Sequence, residues 1–299
     1  MREKLLYLFS YISWPLLFTV CMAITAYGFA KDQPVLYFNF AYAFLAISLL
    51  LLEQRMSFAK EWNADDGQTL ANIAHTLVSK GGVQTLLVFS AVIGLTDHIK
   101  PLSESVDCIW PRDWPLVPQI VLGVVVAEFG LYWAHRLSHE WMPLWRFHAI
   151  HHSVTRLWVI NTGRFHFVDS LVSIVLGLTI LFSLGAPIEV LQWLSAITAF
   201  IGMLTHCNVE MRFGVLSWIF NTPGLHRWHH SRDLREGNKN YGENVMIWDH
   251  IFGTYFNAER QPPINIGTNE YVPLTFWQQL KHPFRPGLFR RRKPAKKSA

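Results

Sequence analysis

Two copies of His-x-x-His-His, His148/His151/His152 and His226/His229/His230, and an H-x-x-x-H formed by His135 and His139 place eight of the chain's 14 histidines in three short boxes. At 14 histidines in 299 residues, one His-x-x-His-His is expected by chance only about 0.03 times, so two copies are not compositional noise. On a helix, residues i and i+3 or i+4 share a face, and each box can present two or three imidazoles to one point. Such a set binds metal. Neutral imidazole suits iron, zinc, copper and nickel alike, so the spacing does not name the ion. A tetrahedral zinc takes at most four protein ligands and a catalytic one keeps a position open, so eight or nine histidines imply two ions. His206, which ends the last apolar run, is the candidate ninth ligand, and His166 in Arg164-Phe165-His166 is a further candidate. His75, His98, His250 and His282 stand alone and read as ordinary surface or interface residues.

Ligating imidazoles usually donate their second N–H to a carboxylate or carbonyl, which fixes the tautomer. Glu128, Glu140, Asp169, Asp233 and Asp249 are the acids available for this. Glu128 precedes His135 by two turns on the same stripe, and Glu140 directly follows His139. Glu140 and Asp249 are the candidate catalytic acids. Arg136 and Arg227 adjoin ligands, where they could bind a lipid headgroup or snorkel. Cys21, Cys108 and Cys207 include no C-x-x-C, so neither a thiolate metal site nor a disulfide framework is indicated.

The elements that must carry these boxes are membrane spans. The chain is 51% hydrophobic and 16% charged, with the excess gathered in long runs. Residues 5–30 carry no charge before Lys31, and residues 35–52 are apolar up to Glu53; a bilayer core of ~30 Å needs about 20 such residues as helix. Further candidates are 82–97, 115–134 and the pair 171–186 and 189–205, giving six crossings as an upper count. The last pair is short enough to be a re-entrant or interfacial hairpin. The first run is too long for a cleaved signal peptide and reads as a permanent span. Between Glu53 and Lys80, Met56, Phe58 and Trp62 suggest a helix at the membrane interface, and Trp133, Trp141, Trp145, Trp158 and Trp228 could line an apolar tunnel but read more simply as an interfacial aromatic belt.

Arg2 and Lys4 before the first span and Arg290-Arg291-Arg292-Lys293 near the C-terminus account for the uneven distribution of a net charge of +5. Basic flanks and an even number of crossings put both termini, and all three boxes, on the cytoplasmic side. Terminal basic residues without a recognition element give no nucleic-acid surface. The expected organisation is all-α and polytopic, with about four to six transmembrane or re-entrant helices and a cytoplasmic helical cap. Residues 1–114 are a transmembrane scaffold, 115–257 the catalytic region and 258–299 a cytoplasmic basic tail, within one integrated domain.

Tyr132-Trp133-Ala134-His135-Arg136-Leu137-Ser138-His139-Glu140, Phe147-His148-Ala149-Ile150-His151-His152-Ser153, Asn221-Thr222-Pro223-Gly224-Leu225-His226-Arg227-Trp228-His229-His230 and the runs Asn240-Tyr241-Gly242, Ile247-Trp248-Asp249 and Phe252-Gly253-Thr254 are specific motifs. Over about 115–257 they resemble the fatty acid hydroxylase (sterol desaturase) superfamily, most closely its bacterial members and alkylglycerol monooxygenase. The resemblance implies a bacterial inner-membrane enzyme with two irons held by the named histidines, O₂ as co-substrate and an external electron donor, either a protein or a reduced pterin. The chain departs from the alkylglycerol branch, where the counterpart of His206 opens a His-Thr-Glu run, in reading His206-Cys207-Asn208. It departs from some sterol-acting relatives in having Phe167 rather than proline after His166.

At a bilayer such a site faces C–H bonds that offer nothing to acid–base or nucleophilic attack, and oxygen activation is the chemistry that reaches them. The expectation is hydroxylation of an unactivated C–H of a membrane lipid, whether fatty acyl, ether lipid or sterol-like, with desaturation by the same cluster as the alternative. A zinc-dependent intramembrane hydrolase lacks its H-E-x-x-H here, and a metal transporter would want mid-span ionisable residues beyond Glu128.

Overall fold

A computed structural model of the chain describes residues 2–84 and 109–285. Among the described residues the fold is all-helical, with isolated bridges but no strand. Long apolar runs free of turn residues become helices because a helix satisfies its own backbone groups where water cannot. In chain order the elements are α1 (Arg2–Ala30), α2 (Pro34–Arg55), α3 (Thr69–Ala74, continued by a π-helical turn His75–Lys80), α4 (Leu116–Glu140), α5 (Met142–His152), α6 (Phe167–Leu184), α7 (Ile188–His206), α8 (Pro223–His229) and α9 (Ile247–Ile251). Helices α1, α2, α4, α6 and α7 are each long and apolar enough to cross a membrane, and the chain is a polytopic membrane protein. The candidate span 82–97 lies mostly outside the described residues, as do His98, Cys108 and the basic run from Arg290. The pair read as a hairpin forms two helices of 18 and 19 residues joined at Gly185, whose φ of 78° favours glycine.

Helices α1 and α2 form a hairpin that closes on α7, with Trp14, Leu45, Leu49, Phe200 and Leu204 in the shared core. Helix α4 packs along α6 and also touches α7. At the α4–α6 crossing Gly130 lies against the Leu176 carbonyl, so closely that a Cβ would collide with it, and Gly177 faces Leu131. Small residues allow this approach, and it brings the histidine end of α4 beside the first turn of α6.

One end of the bundle collects all three boxes. Glu53, at the end of α2, accepts hydrogen bonds from the backbone N–H of Val159 (2.8 Å) and Asn208 (3.0 Å), tying together the segments that follow α5 and α7. His75 bonds the Phe165 carbonyl at that same end. At the other end Trp110 N–H donates to Leu184 O, Arg112 to Gly185 O, and Phe29 packs on Trp193.

Several expectations are corrected. Met56 and Trp62 are buried, and Trp62 Nε1 donates to Ile264 O; the apolar surface in this region belongs to α3 and its π turn, where Leu70 and Leu77 are exposed. The aromatic belt does not include Trp228, which is fully buried, or Trp145, which donates to Glu270. Residues 258–285, expected within a tail, are packed: Ile266 and Gln279 are buried, and Gly267 N–H donates to His230 O.

Candidate metal centre

The nine histidines named from sequence converge into two groups. His135, His139, His148, His152 and His229 form one, and His151, His206, His226 and His230 the other; within each, one ring nitrogen per residue lies within 4.8 Å of all the rest. The groups adjoin, with His152 and His230 stacked at 4.3 Å between ring centroids.

Helix periodicity explains the partition. His135/His139, His148/His152 and His226/His230 are i, i+4 pairs, and each pair stays together because the two side chains rise from one face. The i+3 member of each His-x-x-His-His is turned toward the other group: His151 joins the four-histidine group and His229 the five-histidine group. Each His-x-x-His-His box does not serve a single point, as expected from sequence, but feeds both groups, whereas His135 and His139 stay in one.

The ring hydrogen bonds set the direction of the free lone pairs. In the five-histidine group Nδ1–H of His135 donates to Tyr241 O (2.7 Å), of His229 to Lys239 O (2.8 Å), of His139 to Asn238 Oδ1 (3.2 Å) and of His148 to Asp169 Oδ2 (2.9 Å). That leaves Nε2 as a lone pair on each ring, and Nε2 of His135, His139 and His229 is buried without a hydrogen-bond partner. In the four-histidine group His206 donates from Nδ1 to Asn161 Oδ1 (3.2 Å) and His151 to Arg164 O (3.3 Å). Here the Nε2 atoms face one another, His226 to His206 at 2.8 Å and His230 to His226 and His151 at 3.1 and 3.2 Å. His230 Nε2 carries at most one hydrogen and stands near two ring nitrogens, so hydrogen bonds do not account for this packing. A cation would: a metal about 2.1 Å from each of two imidazoles at right angles separates their nitrogens by about 3 Å. Burial, and then the neighbouring charges, hold His151, His152, His229 and His230 well below the ordinary imidazole range and His226 at about 3. These rings are therefore neutral at pH 7, the form that ligates. The donor set is compatible with metal binding.

The remaining sequence candidates divide clearly. Asp169 supports His148 as an outer acid. Glu128, fully buried in α4, accepts from Asn244 N–H and Nδ2 and from Glu243 N–H, and so anchors the loop after Asn240. Asp249 accepts from Tyr241 N–H (2.8 Å), Gly242 N–H (2.7 Å) and Thr254 Oγ1 (2.6 Å), and thereby holds the Tyr241 carbonyl that receives His135. Its carboxylate belongs to neither group. Nor does that of Glu140, which is half exposed and paired with Arg136 at 2.9 Å. Asp233 lies in a largely exposed pair with Arg235. His166 caps α6, accepting from Val168 N–H and donating to Leu280 O, outside both groups.

His75 and His282 are buried rather than superficial, and His75 bonds Gln279 and Phe165; His250 is exposed and stacks on Trp218. Arg227 reaches no surface: it donates to Cys207 O and Val209 O and lies 3.8 Å over Phe58. The supports missed in the sequence are Asn161, Asn238, Arg164 and the carbonyls of Lys239 and Tyr241. An isolated asparagine leaves little trace, and a backbone carbonyl leaves none.

Access differs between the groups. A cavity of about 630 Å³, lined by Trp145, Arg232 and Glu270 among others, reaches His139, His152 and His229. The four-histidine group has none of its members on that wall, and Phe165 stacks on His151 at 4.2 Å.

The sequence model of the fatty acid hydroxylase family matches residues 120–254, which include every histidine of both groups. The chain is also 49% identical to the ornithine lipid hydroxylase OlsE of Rhizobium tropici over 277 residues, 92% of this chain and 84% of that protein. The chain belongs to the fatty acid hydroxylase family. Other relatives of this family member include the alkylglycerol monooxygenase of Homo sapiens, 32% identical over 243 residues, 80% of this chain and 51% of that protein. The fatty acid hydroxylase vlmA of Lecanicillium sp is 29% identical over 174 residues, 53% and 47% of the two chains. No solved structure matches. The relatives support an oxidoreductase acting on lipid.

Proposed function

We propose that this hydroxylase-family chain is a membrane-bound, O₂-dependent lipid monooxygenase that holds two non-haem irons, one in each histidine group, and hydroxylates an unactivated C–H bond. The observation that carries the reading is the convergence of nine imidazoles into two adjoining groups at one end of a set of apolar helices. His135, His139, His148, His152 and His229 would hold one ion, and His151, His206, His226 and His230 the other. The irons, reduced by an external donor, would supply the O₂ activation that removes a hydrogen from carbon and delivers an oxygen atom.

The protein's own part is placement and exclusion. Asp169, Asn238, Asn161 and the carbonyls of Tyr241, Lys239 and Arg164 fix the tautomers so that Nε2 faces inward. Burial of the rings keeps water from the reacting carbon. The cavity beside His139 and His229 would give an electron donor, protein or pterin, a route to the five-histidine group. The boxes and both termini are assigned to the cytoplasmic side by the basic N-terminal flank.

Metal analysis of purified protein, with product analysis with and without oxygen, tests the reading. Two irons per chain and an O₂-dependent lipid product sixteen mass units heavier are expected. Stoichiometric zinc with oxygen-independent turnover removes it, and a product two mass units lighter replaces hydroxylation by desaturation.

A further inference from the structure

Helix α4 measures depth in the bilayer. From Leu116 to His135 its one acidic or basic residue apart from histidine is Glu128, and at 1.5 Å a residue this length is about 30 Å, the thickness of a hydrocarbon core. Trp133 and Arg136 mark the histidine end, with the guanidinium 5.3 Å from the indole ring centroid. Aromatic and cationic side chains gather in this way where hydrocarbon meets headgroups.

Measured along α4, a segment outside the five spans lies deep. Trp248 Nε1 donates to the Val125 carbonyl at 2.9 Å, about 15 Å along the helix from His135. Phe129 packs on Trp248 at 4.8 Å, and Phe252 packs on Tyr132 and Trp133 at 5.3 and 5.2 Å. Helix α9 therefore runs beside α4 from its middle toward its histidine end. A second loop accompanies it: Ile219 O accepts from Met246 N–H, and Phe220 packs on Trp14 and Phe18 of α1.

Irregular backbone at such a depth must have its polar groups paired within the protein. Glu128 takes the N–H groups of Glu243 and Asn244, Asp249 those of Tyr241 and Gly242, and Asn244 O that of Asn221. His250 lies parallel to the Trp218 ring and donates to its carbonyl. The outward side chains are apolar: Ile219, Ile247, Ile251 and Phe252 are exposed. So is Val121, one turn before Val125 on the same face of α4, which makes this surface continuous with that of a span. It ends at the level of Trp133 and Arg136, where Lys239 donates to Gly253 O and the exposed Asn257, Glu259 and Arg260 follow.

We propose that residues 216–220 and 243–252 form a re-entrant wedge, seated on α1 and α4 and sunk into the leaflet on the histidine side, with Ile219, Ile247, Ile251 and Phe252 against lipid acyl chains. The wedge carries Asp249, so the Tyr241 carbonyl that receives His135 hangs on an element whose outer side touches lipid. This needs only the polytopic fold and not the identity of the ions or the reaction.

The test is the depth of single nitroxide labels on the full-length, metal-loaded protein in phospholipid nanodiscs. Cys21 and Cys207 are buried, and Cys108→Ser leaves the introduced thiol as the one to be labelled. Ile247→Cys and Ile251→Cys are compared with Val121→Cys on the span and Glu259→Cys on the polar surface, by collision with oxygen, which enters lipid, and with a polar nickel chelate, which does not. Polar solutes are excluded from hydrocarbon, so chelate collisions should fall at least about tenfold from Glu259 to both wedge positions, while oxygen collisions there match those at Val121. Chelate collisions at the level of Glu259 place the segment in water and overturn the proposal. Immobile labels shielded from both agents mean that protein, such as a second copy of this chain, covers the face, and also overturn it. Should Ile247→Cys fail to fold, Ile251→Cys, at the more exposed position, decides alone.

Discussion

The two histidine groups use the same ligand and similar spacing, but they are built differently. The five-histidine group draws on three boxes and is wired to loop carbonyls at Lys239 and Tyr241; three of its rings line an open cavity of mixed polarity. The four-histidine group is walled by Phe165, Asn161 and Arg164 and adjoins the segment that borders an apolar crevice. Two histidine groups made from the same short motifs thus have different neighbours, one an open cavity and the other an aromatic ring and buried polar side chains. The difference comes from what the i+3 histidine of each box meets when it turns away from its i, i+4 pair.

Ligand removal breaks the comparison most severely. His229→Ala should cost the five-histidine group its ion and His151→Ala the four-histidine group its ion, each abolishing activity and lowering metal content from two toward one per chain. Normal turnover in either variant would mean that the histidines are not ligands. Asn238→Ala and Asn161→Ala should sharpen it, because each removes one outer support: metal affinity should fall about 10–100-fold, at the five-histidine group only in the first and at the four-histidine group only in the second. Competitive chelation curves with two resolved steps measure this, and a shift of both steps in either variant would argue for one coupled site.

Asp249→Ala removes the acceptor of two backbone N–H groups and a hydroxyl. It should destabilise the protein by about 3 kcal/mol and loosen the five-histidine group through Tyr241 O and His135. Thermal unfolding and the first chelation step report the two effects. Glu140→Gln should do least. Its pair with Arg136 is half exposed, so stability should change by less than about 1 kcal/mol and turnover by less than about twofold. A large loss of turnover at normal metal content would instead give Glu140 a role in the chemistry at the cavity mouth.

Much of the site was legible in the chain. Spacing showed which histidines could share a helix face, and the end of an apolar run drew attention to His206. The apolar runs showed which stretches had to be helices, since in lipid no open structure satisfies its backbone. Asp169 and Asp249 were legible as acids but not in their duties, because only packing decides that one meets His148 and the other a pair of backbone N–H groups. Arg227 misled for a similar reason: next to a ligand it read as a surface cation, whereas Phe58 and two carbonyls from a distant segment enclose it.

By itself the sequence determined the histidine boxes, their i, i+4 pairing and the helical membrane architecture, all of which depend on local periodicity and composition. The tertiary structure decided the division into five and four and the supports that orient each ring. Those depend on how segments far apart in the chain meet, through close α4–α6 packing at Gly130 and the anchoring of loops by Glu53, Glu128 and Asp249. Such contacts are made between elements, and the residue pattern within any one of them does not encode which partner it will face.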